Sequence, residues 1–276
     1  MNPADSVAWH EALARVPGGK SAPDLIVTPL AGGTANATFR VETGEGSFVV
    51  RLHEPYTLDL GVDRRREAIL HAAAAGAGLA SRILAADPQG RFLVTEYLPA
   101  PVWQAGDLAN ESRLGELADT LRKLHALPAP RVPALDLAGL LAGHAAWLAA
   151  QRAAPPAELV PQLARAREIL ARQQAAGRAP CIVHGDPTAA NMIGTAPLHL
   201  IDWEYAAVAD PLTDLACLLA YYPSLEPRGE MLLDRSGLAG SATPTQLAEL
   251  AWVYGLAADL WHRRLALARR HPPPAH

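Results

Sequence analysis

The sequence predicts an α+β fold in two lobes: a small antiparallel β-sheet carrying one helix, then a larger, mostly helical lobe. Three observations carry this. The first hundred residues hold short β-branched and apolar runs separated by glycine- and proline-bearing turns. Leu98-Pro99-Ala100-Pro101 then breaks the last of those runs. Beyond it, apolar residues recur at helical spacing over long stretches. The expected division is 1–98 and 99–276.

The elements follow in order. Residues 25–30, 37–43 and 47–52 read as strands, the last two joined across Gly44-Glu45-Gly46. The small segment Ala31-Gly32-Gly33-Thr34-Ala35-Asn36 links the first pair. Val62, Ile69, Leu70 and Ala73 predict a helix over 62–76, stopped by Gly76 and Gly78. Strands at 82–87 and 91–97 flank the turn Asp87-Pro88-Gln89-Gly90. Helices are expected over 110–126, 136–152, 158–176, 211–221 and 244–269, with a strand-like insertion at 181–202 and a loop at 223–243.

Composition narrows the function classes. Of 276 residues, 50% are hydrophobic and 19% charged, which excludes a disordered chain. A net charge of -4 argues against a nucleic-acid partner, because phosphate backbones demand a basic face. Cys181 and Cys217 cannot build a disulfide framework or a four-ligand zinc site. Residues 1–16 lack a basic start leading into an apolar run, so they do not read as a signal peptide. The apolar stretch 137–150 is too short to span a membrane and contains His144. A soluble, cytoplasmic protein with a small-molecule partner is expected.

The chemistry concentrates in Cys-Ile-Val-His-Gly-Asp-Pro-Thr-Ala-Ala-Asn at 181–191 and Leu-Ile-Asp at 200–202. Phosphoryl transfer from a nucleoside triphosphate needs a carboxylate beside the acceptor hydroxyl, plus a carboxylate and a neutral oxygen to hold Mg²⁺ on the phosphates. Asp186 fits the first role; Asn191 and Asp202 fit the others. His-x-Asp alone is common in turns, but the full string is not. It repeats the order of the protein-kinase catalytic loop and metal-binding aspartate. In the third strand, Arg51 stands where kinases keep a lysine on the α/β-phosphates, with Glu67 as its expected partner. Their rivals are an exposed strand arginine and a solvated helix face. The turn Gly32-Gly33-Thr34 would let backbone amides approach phosphates, though two glycines in a hairpin are a weak signal. Gly18-Gly19-Lys20-Ser21 ends like a P-loop but lacks its first glycine, which falls at Ala14.

His184-Gly185-Asp186, Asn191, Ile201-Asp202-Trp203-Glu204-Tyr205 and Asp210-Pro211-Leu212-Thr213-Asp214-Leu215-Ala216 resemble the aminoglycoside phosphotransferase/choline kinase family. The Ile-Asp-Trp-Glu-Tyr string most resembles its bacterial choline-kinase and thiamine-kinase-like branch. The likeness runs over about 25–222 and is specific around 181–216. It implies a protein-kinase-like bilobal fold and ATP with Mg²⁺ as cofactors. It further implies Asp186 as base, Asn191 and Asp202 as metal ligands, and Arg51 with Glu67 on the phosphates. His184 and Asp214 would steady the catalytic loop, and Glu96-Tyr97-Leu98 would meet adenine through backbone atoms.

The acceptor alcohol would lie in the helical lobe. Of fifteen aromatic residues, seven fall between 203 and 261: Trp203, Tyr205, Tyr221, Tyr222, Trp252, Tyr254 and Trp261. Aromatic faces near carboxylates favour organic cations, with Glu204, Asp210 and Asp259 as candidate acids. Trp203, Glu204, Tyr205, Tyr221 and Tyr222 are the candidate acceptor-binding residues, although a plain core role competes for these aromatics. A choline- or ethanolamine-like acceptor is the leading expectation. Thiamine is the nearest rival. Aminoglycosides stay open because 223–243 holds Glu226, Glu230 and Asp234. A nucleotide-binding pseudokinase is the second alternative, prompted by the missing lysine.

Overall fold

The computed structural model describes residues 6–19, 25–30, 36–54, 61–151 and 159–270. Helix α1 (Val7–Leu13) precedes β1 (Ile26–Pro29), β2 (Asn36–Thr43), β3 (Gly46–His53), α2 (Arg64–Gly76), β4 (Ile83–Ala86) and β5 (Phe92–Glu96). The five strands form one antiparallel sheet in the order β1-β2-β3-β5-β4. Register places Thr38 and Leu93 on either side of Arg51, so the cation sits on the sheet's central strand.

One helix was expected on this sheet; the described residues hold two. Trp9 and Ala12 of α1 are buried, and Trp9 packs edge-on against Phe39 with ring centroids 5.1 Å apart. Two buried residues in a seven-residue helix are too few to reveal a period. On the other side, α2 starts at Asp63, whose carboxylate accepts from the Arg65 and Arg66 amides at 3.0 Å. That cap fixes where the helix begins, and therefore where Glu67 sits relative to Arg51.

The helical part comprises α3 (Glu111–His125), α4 (Leu137–Ala150), α5 (Leu159–Ala175), α6 (Leu212–Tyr221), α7 (Gly229–Arg235) and α8 (Pro244–Arg270). Helix α3 is capped by Asn110 and buries Leu114, Leu117, Leu121 and Leu124, a stripe at helical spacing. Helix α6 is buried on nearly every side, which is why its sequence is apolar almost throughout. Between α5 and α6, short strands make two ladders: β6 (Cys181–Val183) with β9 (Ala207–Ala209), and β7 (Met192–Ile193) with β8 (His199–Leu200). The β7–β8 pair is nested inside the β6–β9 pair, so Asp186 and Asn191 lie on the connection from β6 to β7 and Asp202 on the connection from β8 to β9.

The expected loop at 223–243 is a correction. It holds a 3-10 turn over Pro223–Arg228 and then α7, which packs on α3 and buries Leu232 and Leu233. Pro227 and a short apolar face concealed it from sequence reading. Among the described residues, no helix is long and apolar enough to cross a membrane.

Leu121 is fully buried at the centre of this core. Leu121→Ala is expected to lower unfolding stability by about 2–5 kcal/mol in a denaturant titration. A loss below about 1 kcal/mol would place it outside a close-packed core.

Candidate active site

The loop after β6 is held by one carboxylate. Asp214, on α6 and fully buried, accepts from the Gly185 amide at 2.8 Å, the His184 amide at 3.1 Å and His125 Nε2–H at 2.9 Å. Burial alone would push this carboxyl up, but the hydrogen bonds from His125 and Gly185 outweigh it and hold the group below its ordinary value. The His184 ring then ties the loop to the residue that follows β8. Its Nε2–H donates to the Ile201 carbonyl at 2.9 Å, and its Nδ1 accepts from the Asp186 amide at 3.3 Å. A carbonyl can only accept, so the proton is on Nε2. Burial depresses the His184 pKa and keeps the ring neutral. Gly185 has φ +79°, and a Cβ there would sit 2.4 Å from the Tyr205 carbonyl oxygen. Only glycine fits.

Asp186, Asn191 and Asp202 converge. Asn191 donates from Nδ2 to Asp186 Oδ2 at 2.8 Å and to the Asp186 carbonyl at 3.0 Å. Asp186 Oδ1 has no partner among the described residues. Burial first, then repulsion from Asp202, pushes the Asp186 carboxyl up to about 7. Asp202 begins a 3-10 turn over Trp203–Tyr205 in the left-handed region, φ 61°, which an aspartate tolerates better than most residues. Its side chain stays 35% exposed, so it is open to a ligand. The Asp202 carboxylate and the Asn191 carbonyl oxygen suit a hard cation such as Mg²⁺. Among the described residues, no cluster of three acids, histidines or cysteines could hold a metal alone. Phosphate and water oxygens would complete the shell, as Mg²⁺ ordinarily requires.

Facing them, Arg51 uses three edges of its guanidinium. Nη1 meets Asp202 Oδ1 at 2.5 Å, Nη2 contacts Glu67 Oε1, and Nε donates to His53 Nε2 at 3.3 Å. Burial first, with Arg51 and Arg64 nearby, drives the His53 pKa down to about 2, so this nitrogen stays an acceptor. Arg64, two residues into the sequence Asp63-Arg64-Arg65, extends the chain of contacts. Its Nη1 donates to Glu67 at 2.8 Å and Glu204 at 3.1 Å, and its Nη2 to Asn36 at 3.0 Å. Asn36 in turn donates to Glu204 at 2.9 Å. Glu67 and Glu204 are both buried. Sequence reading missed His53, Arg64 and Asn36 as partners. The one available signal was the i,i+3 spacing of Arg64 and Glu67 on a single helix face.

Two cavities meet here. The first, about 430 Å³, lies under the sheet and is lined by Val49, Arg51, Leu93, Ile193, Ile201 and the stretch Glu96-Tyr97-Leu98. The Glu96 amide donates to the Arg82 carbonyl and the Tyr97 amide to the Ser47 carbonyl. Among the described residues the Leu98 amide has no partner, so it is the donor of that stretch open to a ligand. The second cavity, about 540 Å³, is lined by Asp186, Glu204, Tyr205, Tyr221, Tyr254 and Trp261 among others. Ala190, Asn191 and Asp202 line both.

Several expected positions fall elsewhere. Gly32, Gly33 and Thr34 lie outside the described residues. Trp203 is fully buried, stacked on His71 and edge-on to His184, and does not line the second cavity. Tyr222 accepts the Ala189 amide at 3.0 Å, bracing the loop between Asp186 and Asn191 rather than facing the cavity. Trp252 is covered by Arg165. Asp210 is paired with Arg178 and Asp259 with Arg263. Glu226, Glu230 and Asp234 belong to the 3-10 turn and α7, and none lines the cavity.

The Phosphotransferase enzyme family profile matches residues 26–250. No match was found among curated protein sequences. Among solved structures, a choline/ethanolamine kinase family protein from Mesorhizobium loti superposes with TM-score 0.72 at 23% identity, covering 97% of this chain and 89% of its own. Choline kinase LicA from Streptococcus pneumoniae gives 0.74 at 19%, covering 92% and 89%. An aminoglycoside-3'-phosphotransferase of type VIII gives 0.63 at 20%, covering 91% and 100%. These superpositions agree with the antiparallel sheet and helical part described above.

Gly185→Ala is expected to displace the loop from Asp214 and Tyr205 and to cost the protein at least tenfold in turnover. Unchanged activity would mean that the loop adapts. In ¹³C NMR of carboxyl-labelled aspartate, one signal should titrate near pH 7 and vanish in Asp186→Asn, the group being protonated below that pH and ionised above it. Its titration near pH 4 would remove the burial and Asp202 repulsion described here.

Proposed function

Because the chain belongs to the phosphotransferase enzyme family, we propose that it is a small-molecule kinase that moves the γ-phosphoryl group of ATP to the hydroxyl of a small cationic alcohol, choline- or ethanolamine-like. One observation carries the reading. The two cavities share Ala190, Asn191 and Asp202, with Arg51 lining only the first and Asp186 only the second. Phosphates in the first cavity would then meet a guanidinium while an acceptor hydroxyl in the second meets a carboxylate base, which is the arrangement phosphoryl transfer uses.

In this reading residues 1–98 hold the nucleotide and 99–276 the acceptor. Adenine lies between Val49 and Ile193 and meets the Leu98 amide. Arg51, kept in place by Glu67, offers its remaining N–H groups to the phosphates. Asp186 Oδ1 accepts the acceptor's hydroxyl proton as the new oxygen–phosphorus bond forms. The bond to the β-phosphate oxygen breaks, and its electron pair leaves with ADP. A carboxyl with a pKa near 7 is well matched to that proton transfer. Asn191 and Asp202 would hold Mg²⁺, which neutralises charge on the phosphates when bound.

A cationic acceptor is supported by what lines the second cavity: Asp186, Asp202 and Glu204, with the rings of Tyr205, Tyr221 and Tyr254. Two of the similar structures bear choline kinase names. An aminoglycoside is less well served, since the acids of 223–243 lie outside this cavity. A pseudokinase reading loses its motive, because Arg51 contacts Glu67, the carboxylate that a lysine in its place would pair with.

Asp186→Asn is expected to leave ATP binding within about threefold and to lower turnover by ~10²–10⁴-fold in an ADP-release assay. Near-wild-type turnover would take Asp186 out of the base role. In the same assay, choline and ethanolamine should release ADP faster than thiamine or kanamycin. A preference for kanamycin would replace the cationic-alcohol reading.

A further inference from the structure

The second cavity has a polar wall that its acids and tyrosines do not explain. His144 on α4 is 1% exposed and lines the cavity. Its Nδ1 lies 2.8 Å from Nη1 of Arg264 on α8. A guanidinium has only donors, so Nδ1 must be the acceptor and the imidazole proton must sit on Nε2. Arg264 is itself buried, held over the Trp147 ring with its guanidinium carbon 4.8 Å from the centroid. Burial, then the charge of Arg264, lowers the His144 pKa to about 4, so the ring is neutral around pH 7. The result is a neutral N–H donor of fixed orientation. Nε2 has no partner among the described residues.

A second donor lies on the same cavity. Trp261, one turn before Arg264 on α8, has a buried indole N–H without a partner among the described residues, and its ring meets Tyr205 edge-on at 6.2 Å. An indole N–H can only donate. Alkylammonium groups carry no hydrogen-bond acceptor, so a bare choline or ethanolamine head leaves both donors unanswered. Leaving a buried donor unmet is a penalty that a better-matched ligand avoids.

We infer that His144 is a specificity-determining residue, and that the acceptor alcohol carries an oxygen acceptor on its cationic head, remote from the reacting hydroxyl, which receives the His144 Nε2–H. The inference rests on the cationic-alcohol reading and narrows its substrate class. Trp261 is placed to donate to the same oxygen or to a neighbouring one. The two α-helices carrying these donors, α4 and α8, pack directly on each other, so the distance between the donors is set by the core and not by a loop.

Two quaternary analogues test it: N-acetonyl- and N-(2-methylallyl)-N,N-dimethylethanolammonium. They share charge, shape and reacting hydroxyl, and differ only in a C=O against a C=CH₂. Dissociation constants are measured by calorimetry on the full chain, as wild type, His144→Leu and His144→Gln. The wild type should bind the ketone about tenfold tighter. That ratio should fall to within about twofold in His144→Leu and be largely kept in His144→Gln, whose amide still donates. ATP binding and melting temperature check that each variant is folded. If neither variant folds, the wild-type ratio decides alone. Equal affinity of wild type for the two analogues, or a ratio unchanged in His144→Leu, overturns the inference while turnover of both analogues leaves the kinase reading standing. Absence of binding by both, with no acceptor-dependent ADP release, would instead bring down the cationic-alcohol reading together with this one.

Discussion

Two buried guanidiniums join the sheet to the helical part at the cleft. Arg51 reaches across to Asp202 and Arg64 to Glu204, while Glu67 stands between the two arginines. Asn36 closes the chain from β2 onto Glu204. These partners are 140 to 168 residues apart in sequence, so the network forms only when both parts of the chain are folded and docked. Each member is costly to bury alone. Removing one partner from such a network typically costs about 3–5 kcal/mol, because the other is left charged and dry. The relative position of sheet and catalytic loop is therefore governed by charge balance at the site itself.

That balance explains features that look unrelated. Three carboxylates, Glu67, Asp202 and Glu204, face two guanidiniums, so the network is short of positive charge even before Asp186 is counted. The deficit appears in the upward shifts of Asp186 and Glu204, both caused by burial and then by Asp202. Arginine in the third strand follows from the same geometry. Its contacts to Glu67, Asp202 and His53 leave in three directions from one plane, which a fork of five N–H groups supplies and a single ammonium does not.

Sequence patterns revealed most of the fold and half of this site. Strands and long helices were legible because each carries either alternation or a stripe such as Leu114, Leu117, Leu121 and Leu124. The string at 181–202 was legible because Asp186, Asn191 and Asp202 come at short spacings on one loop and the strand pair that follows it. Helices α1 and α7 were hidden by their length: seven residues hold less than two full turns. Asn36, His53, Arg64 and His144 were hidden for a different reason. Each acts through a partner far away in the chain, and no local pattern distinguishes a buried arginine at 64 from the exposed one at 65. The aromatic residues show the same limit in reverse. Trp203 and Tyr222 fall within the right segment, yet one packs into the core and the other braces a backbone amide.

The two faces of the cleft differ in how freely they can rearrange. On the helical side, the loop is fixed by bonds that no ligand can replace: Asp214 is fully buried and saturated by two amides and His125, and His184 is neutral and enclosed. On the sheet side, Arg51 is bound to the one carboxylate of the network that remains open, Asp202. A phosphate arriving at Arg51 and a cation arriving at Asp202 would each supply the charge that the other residue now supplies. Exchange of that single contact leaves each charged side chain with an opposite charge beside it and the Glu67–Arg64–Glu204 links in place. The geometry thus separates a rigid half that positions Asp186 from a contact that ligands can take over, and the ion chain behind that contact keeps the two halves in register during the exchange.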